Sequence, residues 1–208
     1  MPHQATSKAA IILLLSVNIL SAGAFTNDLV ALTSLNSHIR IDIRYATTNN
    51  FSGQQVYPSK KAYLHQPAAE KLARAQEKLE ARGLGLKVFD AYRPLGVQKI
   101  FWSIVPDEKY VADPKKGSRH NRGSAVDVTL VKLDSGEELE MPSGFDDFSP
   151  RAAYAFTNLP PAAVSNRALL RAVMTECGFL PFETEWWHFD DAGWTNYSIL
   201  DVPFERLP

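Results

Sequence analysis

Ser118-Arg119-His120-Asn121-Arg122-Gly123-Ser124-Ala125-Val126-Asp127 is the stretch on which the reading of this chain turns. Gly123 and Ser124 interrupt it, which puts His120 on a loop or a strand end. From Ala125 to Leu130 the residues read as a strand. Ala125, Asp127 and Thr129 fall on one face, and Val126, Val128 and Leu130 on the other. Asp127 is the one carboxylate in an otherwise apolar run. Burying it unpaired would be costly, so a cationic partner is expected.

A second stretch, Glu185-Trp186-Trp187-His188, supplies what the first lacks. His120, Asp127 and His188 offer two imidazoles and a carboxylate. That donor set suits a catalytic zinc, which takes three protein ligands and keeps a fourth position for water. Glu185, three residues before the second histidine, is the type of group that acts as general base and then general acid beside such a water. An extended backbone would put Glu185 and Trp187 on one face and Trp186 and His188 on the other. Both polar groups serve one metal only if the strand ends or twists there, and spacing leaves that open. Taken singly, each residue also fits a core histidine, a buried ion pair or a surface glutamate.

The combination is more specific. Ser-x-His-x-x-Gly-x-Ala-x-Asp followed much later by Glu-x-x-His resembles the zinc D,D-peptidase family that includes the D-alanyl-D-alanine dipeptidases of the VanX type. Asp90-Ala91-Tyr92-Arg93-Pro94 and Arg44-Tyr45-Ala46-Thr47-x-Asn49-Asn50-Phe51 are similar to the dipeptidase branch, and the resemblance runs from about Asp42 to Phe189. It implies one zinc per chain on His120, Asp127 and His188, with Glu185 as base. It also implies that Arg93 stabilises the tetrahedral intermediate, and that an Asp in Met141-Pro142-Ser143-Gly144-Phe145-Asp146-Asp147-Phe148 binds the substrate ammonium. Asp146 is the better match, with Ser118 nearby. Either Asp146 or Asp147 also fits a cap on the following segment. Tyr45 fits a substrate pocket and a packed strand end equally well. Apart from the resemblance, Arg93 reads as half of a structural ion pair with Asp90.

The 208 residues suit a single domain, and the net charge of −1 comes without a basic patch, which argues against nucleic acid as a main partner. Lys8, the apolar run from Ala9 to Leu20 and the small residues Ala22-Gly23-Ala24 form a secretory signal pattern over residues 1–24. The run is short for a membrane span, which needs roughly 20 residues. Residues 25–208 would then be an exported, periplasmic catalytic domain with no membrane attachment. A single cysteine, Cys177, excludes an internal disulfide and reads as a buried apolar residue.

The other elements are scaffold. Ile39 to Tyr45 alternates like a half-buried strand. Gln66-Pro67 opens a helix with Ala68, Leu72, Ala75 and Leu79 on one face, and Gly83 stops it. His65 just before it reads as a surface or capping residue. Leu86 to Tyr92 is a strand ended by Arg93-Pro94, and Pro94 to Val105 a second helix. Val131 to Leu133 continues the central strand, and Glu138 to Met141 returns as a hairpin. Arg151 to Asn166 is irregular. Asn166 to Cys177 is the last helix, capped by Ser165, and two strands follow, Phe179 to Phe182 and Glu185 to Phe189.

The expected fold is α+β: one domain with a small, mainly antiparallel sheet flanked by helices and a zinc site at the sheet. The expected function is zinc-dependent hydrolysis of D-Ala-D-Ala in cell-wall turnover. A D,D-carboxypeptidase acting on peptidoglycan stems and a non-catalytic zinc-stabilised binding module are the alternatives.

Overall fold

A computed structural model describes residues 28–208; the expected signal segment, residues 1–24, lies outside them. In chain order the elements are β1 (Leu29–Ala31), the one-turn α1 (Leu32–Leu35), β2 (Arg40–Ile41), β3 (Tyr63–His65), α2 (Gln66–Glu80), β4 (Leu84–Asp90), α3 (Leu95–Ile104), β5 (Ala125–Lys132), α4 (Pro161–Glu176), β6 (Phe179–Phe182) and β7 (Glu185–Asp191). Among the described residues no helix is long and apolar enough to cross a membrane.

The run around Asp127 becomes the middle strand of a five-stranded sheet ordered β2-β4-β5-β7-β6. Only the β2–β4 pair is parallel; β4–β5, β5–β7 and β7–β6 are antiparallel. A separate antiparallel ribbon joins β1 to β3. This is the α+β, mainly antiparallel architecture expected. Residues 125 to 131 of β5 are all buried, because the strand has neighbours on both sides and helices or aromatic loops on its faces.

Helix α2 carries Pro67 in its first turn and presents Ala68, Leu72, Ala75 and Leu79 to the core, each fully buried. Burying one leucine side chain is worth roughly 2 kcal/mol, so this stripe fixes the helix far more firmly than its propensity does. Cys177 is buried at the C-terminal end of α4, as expected.

Three local expectations are corrected. Ile39, Ile43 and Tyr45 are buried, yet only Arg40 and Ile41 join the ladder; the chain then turns into a 3-10 helix over Arg44–Ala46. The last helix starts at Pro161, five residues before the expected start and with no Ser165 cap. Proline at the first helical position forfeits no hydrogen bond and brings the right φ, so Pro160-Pro161 marks a helix start and not an irregular stretch. His65 does stand at the N-cap position of α2, but it is buried and its side chain makes no cap hydrogen bond, its ring being stacked on Tyr197 at 4.4 Å.

Candidate metal centre and its cleft

Asp127 in β5 lies directly opposite His188 in β7 in the antiparallel register, and on its other side pairs with Asp90 of β4. Three adjacent strands therefore carry Asp90, Asp127 and His188 in one row. A one-residue register shift between Val88 and Asp90 brings Asp90 into that row.

His120 arrives from the 3-10 turn His120–Arg122 just before β5. Gly123 closes this turn with φ +58, and an added Cβ would lie 2.6 Å from Leu29 Cδ2. Only glycine meets both demands. The turn is tied to the segment after β4: Arg93 N–H donates to the His120 carbonyl at 3.1 Å, and Asn121 Nδ2 donates to the Arg93 carbonyl at 2.9 Å.

The three expected ligands meet. His120 Nε2 lies 3.2 Å from His188 Nδ1 and 3.5 Å from Asp127 Oδ1, and His188 Nδ1 lies 3.0 Å from Asp127 Oδ1. Four-coordinate zinc with bonds of about 2.0–2.1 Å separates its ligand atoms by about 3.3 Å, so the triangle has the edge lengths of one tetrahedral face.

The outer shell sets the tautomers. His120 Nδ1–H donates to the Ala91 carbonyl at 2.7 Å, and His188 Nε2–H donates to the Asp190 carboxylate at 2.9 Å. In the neutral imidazoles this leaves the two inward nitrogens as lone-pair donors, facing each other and a carboxylate. Such a point calls for a cation, whether a proton or a metal ion. The charge balance agrees. Burial would raise the Asp127 pKa, but the two imidazoles outweigh it and hold the carboxyl well below the usual range. Burial would lower the His188 pKa, but Asp127 and Asp190 outweigh it and raise it. The donor set fits a metal ion.

These atoms line the floor of a cleft of about 430 Å³, which also takes in Glu185, Arg93, Tyr45, Asp146 and Ser118. All eight residues singled out from the sequence thus reach one cleft. Glu185 Oε2 lies 3.9 Å from His188 Nδ1, and burial raises its pKa. The question that spacing left open is answered by β6–β7 pairing: Pro181 faces Phe189, whereas Phe182 faces Glu185. The register jumps there, so β7 is distorted between Glu185 and His188, and both side chains enter the cleft while Trp186 is buried and bonded to Ser143.

Arg93 is buried and anchored. Its Nη2 and Nε donate to Asp90 Oδ2 at 2.6 and 3.2 Å, and Nη1 donates to Gln98 Oε1 at 2.8 Å. The Asp90 ion pair is therefore real, and it coexists with a place in the cleft wall. A guanidinium has five N–H donors, so two stay uncommitted. Burial disfavours its charge, but Asp90 outweighs this and the pKa is raised.

Asp146 and Asp147 separate cleanly. Asp147 Oδ1 accepts from Ser149 N–H at 2.8 Å, a local turn contact. Asp146 points into the cleft, where Oδ1 accepts from Tyr45 Oη at 2.9 Å and Oδ2 from Phe51 N–H at 3.3 Å. Its φ of +61 is the only left-handed non-glycine backbone among the described residues. Burial pushes its pKa up to about 7. Ser118 Oγ accepts from His120 N–H at 3.2 Å, on the turn that positions His120.

Sequence reading missed Asp190, Gln98 and Tyr57. Asp190 lies two residues beyond His188, hence on the same strand face, which was the available signal. Gln98 follows Arg93 by only five residues, on the first turns of α3, but a lone glutamine there carries no specific signal; Tyr57, which donates to Asp90 Oδ1 at 2.8 Å, comes from a distant segment and gave none.

A family profile described as D-ala-D-ala dipeptidase, peptidase M15, matches residues 25–204. A D-alanyl-D-alanine dipeptidase of Escherichia coli (strain K12) is 38% identical over 179 residues, covering 86% of this chain and 92% of that protein. One from Streptomyces coelicolor is 35% identical over 187 residues, 79% of this chain and 91% of the relative. Another, from Enterococcus faecium, is 33% identical, covering 79% and 92%.

Proposed function

The chain belongs to the D-Ala-D-Ala dipeptidase family of peptidase M15 and is a peptidase, and from that membership we propose that it hydrolyses D-Ala-D-Ala to two D-alanines with one zinc ion. The observation that carries the reading is the triangle of three donor atoms at tetrahedral spacing with Glu185 beside it. His120 Nε2, Asp127 Oδ1 and His188 Nδ1 would hold the metal. Zinc in such a site polarises a carbonyl and lowers the pKa of water.

The protein groups supply the rest. Glu185 takes a proton from the attacking water as it adds to the scissile carbonyl carbon. It then gives that proton to the departing amine nitrogen as the C–N bond breaks. Burial raises its pKa, which makes the carboxylate a stronger base toward the water. Arg93, rigidly held by Asp90 and Gln98, turns its two spare N–H groups to the developing oxyanion. Asp146 takes the substrate ammonium, with Ser118 beside it, and Tyr45 acts through its hydrogen bond to Asp146. An ammonium clamp selects free dipeptides over acylated chains.

Residues 1–24 support export, which would let the enzyme consume dipeptide released by cell-wall turnover in the periplasm. The test uses the zinc-loaded protein beside Glu185→Gln, with D-alanine release measured from D-Ala-D-Ala and from N-acylated D-Ala-D-Ala. The expected result is release from the free dipeptide only, lost by about 10²-fold or more in the variant. Release mainly from the acylated compound would instead make the protein a carboxypeptidase. No release from either, with zinc bound, would leave a binding module.

A further inference from the structure

A free dipeptide is a zwitterion, and the residues above account for its ammonium but not for its carboxylate. Five cations line the cleft: Arg93, Lys109, Lys116, Arg119 and Arg122. Three are committed. Arg93 is held by Asp90 and Gln98. Lys116 Nζ donates to both Glu108 carboxylate oxygens at 2.7 Å. Arg122 Nη1 donates to the Tyr197 carbonyl, whereas Lys109 has only a ring contact, 5.0 Å from its neighbour Tyr110, with no ion pair among the described residues to orient it.

Arg119 is different. Its Cζ lies 4.7 Å over the Trp194 ring, and Nε faces Asp190 Oδ2 at 3.4 Å. Neither terminal nitrogen donates a hydrogen bond among the described residues, and the side chain is 40% exposed. The indole and Asp190 hold the guanidinium still while both Nη groups remain available. Arg119 also directly precedes His120, so its place relative to the metal centre is fixed by one peptide. A planar guanidinium with two unpaired Nη groups matches a carboxylate bidentately, and stacking on an aromatic face removes part of the ordering cost.

We propose that Arg119 receives the free C-terminal carboxylate of the substrate. This rests on the dipeptidase reading and extends it. With Asp146 at one end and Arg119 at the other, the cleft recognises both termini, and chains extended or blocked at the C-terminus lose an ion pair. Asp190 links Arg119 to His188, so a purely structural role for Arg119 would act through the metal site and affect all substrates alike.

The experiment compares kcat/KM for D-Ala-D-Ala and for its C-terminal amide in the zinc-loaded wild type, Arg119→Ala and Arg119→Lys. Hydrogen bonds to a charged group correspond to about 10- to 100-fold. The wild type is expected to prefer the free acid by that factor, mainly through KM. Arg119→Ala should abolish the preference by losing activity on the acid alone, and Arg119→Lys should restore part of it. A wild type that cleaves acid and amide equally well overturns the proposal without needing any variant. So does an Arg119→Ala enzyme whose acid-to-amide ratio is unchanged. A wild type with zinc bound and no activity on either compound overturns the dipeptidase reading itself, and the assignment of Arg119 falls with it.

Discussion

Asp146 has a cost that can be measured. Burial raises its pKa from 3.8 to about 7, although the hydrogen bonds from Tyr45 and Phe51 pull the other way. The folded state therefore favours the neutral acid, while the unfolded chain ionises near pH 4. This contribution to stability is fully present below the unfolded pKa and is lost as pH rises toward 7. A shift of about 3 units, at 1.36 kcal/mol each, corresponds to about 4 kcal/mol lost at pH 8 and about 1.6 kcal/mol at pH 5. The residue is only half-buried, so solvent screening reduces the change between the two pH values to about 1–2 kcal/mol.

Asp146→Asn isolates the effect. Asparagine tolerates the left-handed backbone at φ +61 as well as aspartate does, and its carbonyl still accepts from Tyr45. Its amide then faces the Phe51 N–H, a donor–donor contact that costs about 1 kcal/mol at every pH. Urea denaturation at pH 5 and pH 8, with metal chelated throughout so that metal binding does not enter, gives the wild-type-minus-variant difference at each pH. The expected outcome is a variant that gains about 1–2 kcal/mol on the wild type between pH 5 and 8 while its KM for the free dipeptide rises. Parallel stability curves over that range would refute the placement of a buried, destabilised carboxylate here.

Two further outcomes follow from the geometry. Gly123→Ala combines a left-handed φ with a Cβ 2.6 Å from Leu29. It should cost about 2 kcal/mol, a fall in Tm of about 5 °C, and weaken metal binding through His120; an unchanged melting curve would contradict the turn. Asp190→Ala removes the acceptor for His188 Nε2–H and should lower zinc affinity about 10- to 100-fold in a chelator competition; an undiminished affinity would mean that the tautomer is set otherwise.

Much of the site was legible because its chemistry is local. His120, Gly123 and Asp127 lie within one turn and one strand. The Asp90–Arg93 pair spans three residues, and α2 declares itself through Pro67 and its apolar stripe. The less legible parts depend on partners far away in the chain. Residues 39–45 have strand periodicity, but only two of them find a ladder partner. Residues 151–166, Pro160-Pro161 among them, read as irregular because a proline pair also fits a loop; the burial of Ala163, Leu170 and Met174 makes Pro161 a helix start.

The sequence by itself determined the donor types, the carboxylate of Glu185 three residues before His188 and the family they belong to, because these follow from residue identity and short spacing. The tertiary structure alone decided which groups meet. Register puts Asp127 opposite His188, since a one-residue slip would turn every side chain of the strand to the other face. The jump in β6–β7 pairing turns Glu185 and His188 into the same cleft against the alternation of an ideal strand. Fold-back of the loop after β5 brings Asp146 to Tyr45, 101 residues away, and leaves Asp147 to a local turn. These are long-range pairings, set by packing and not by any neighbouring residue.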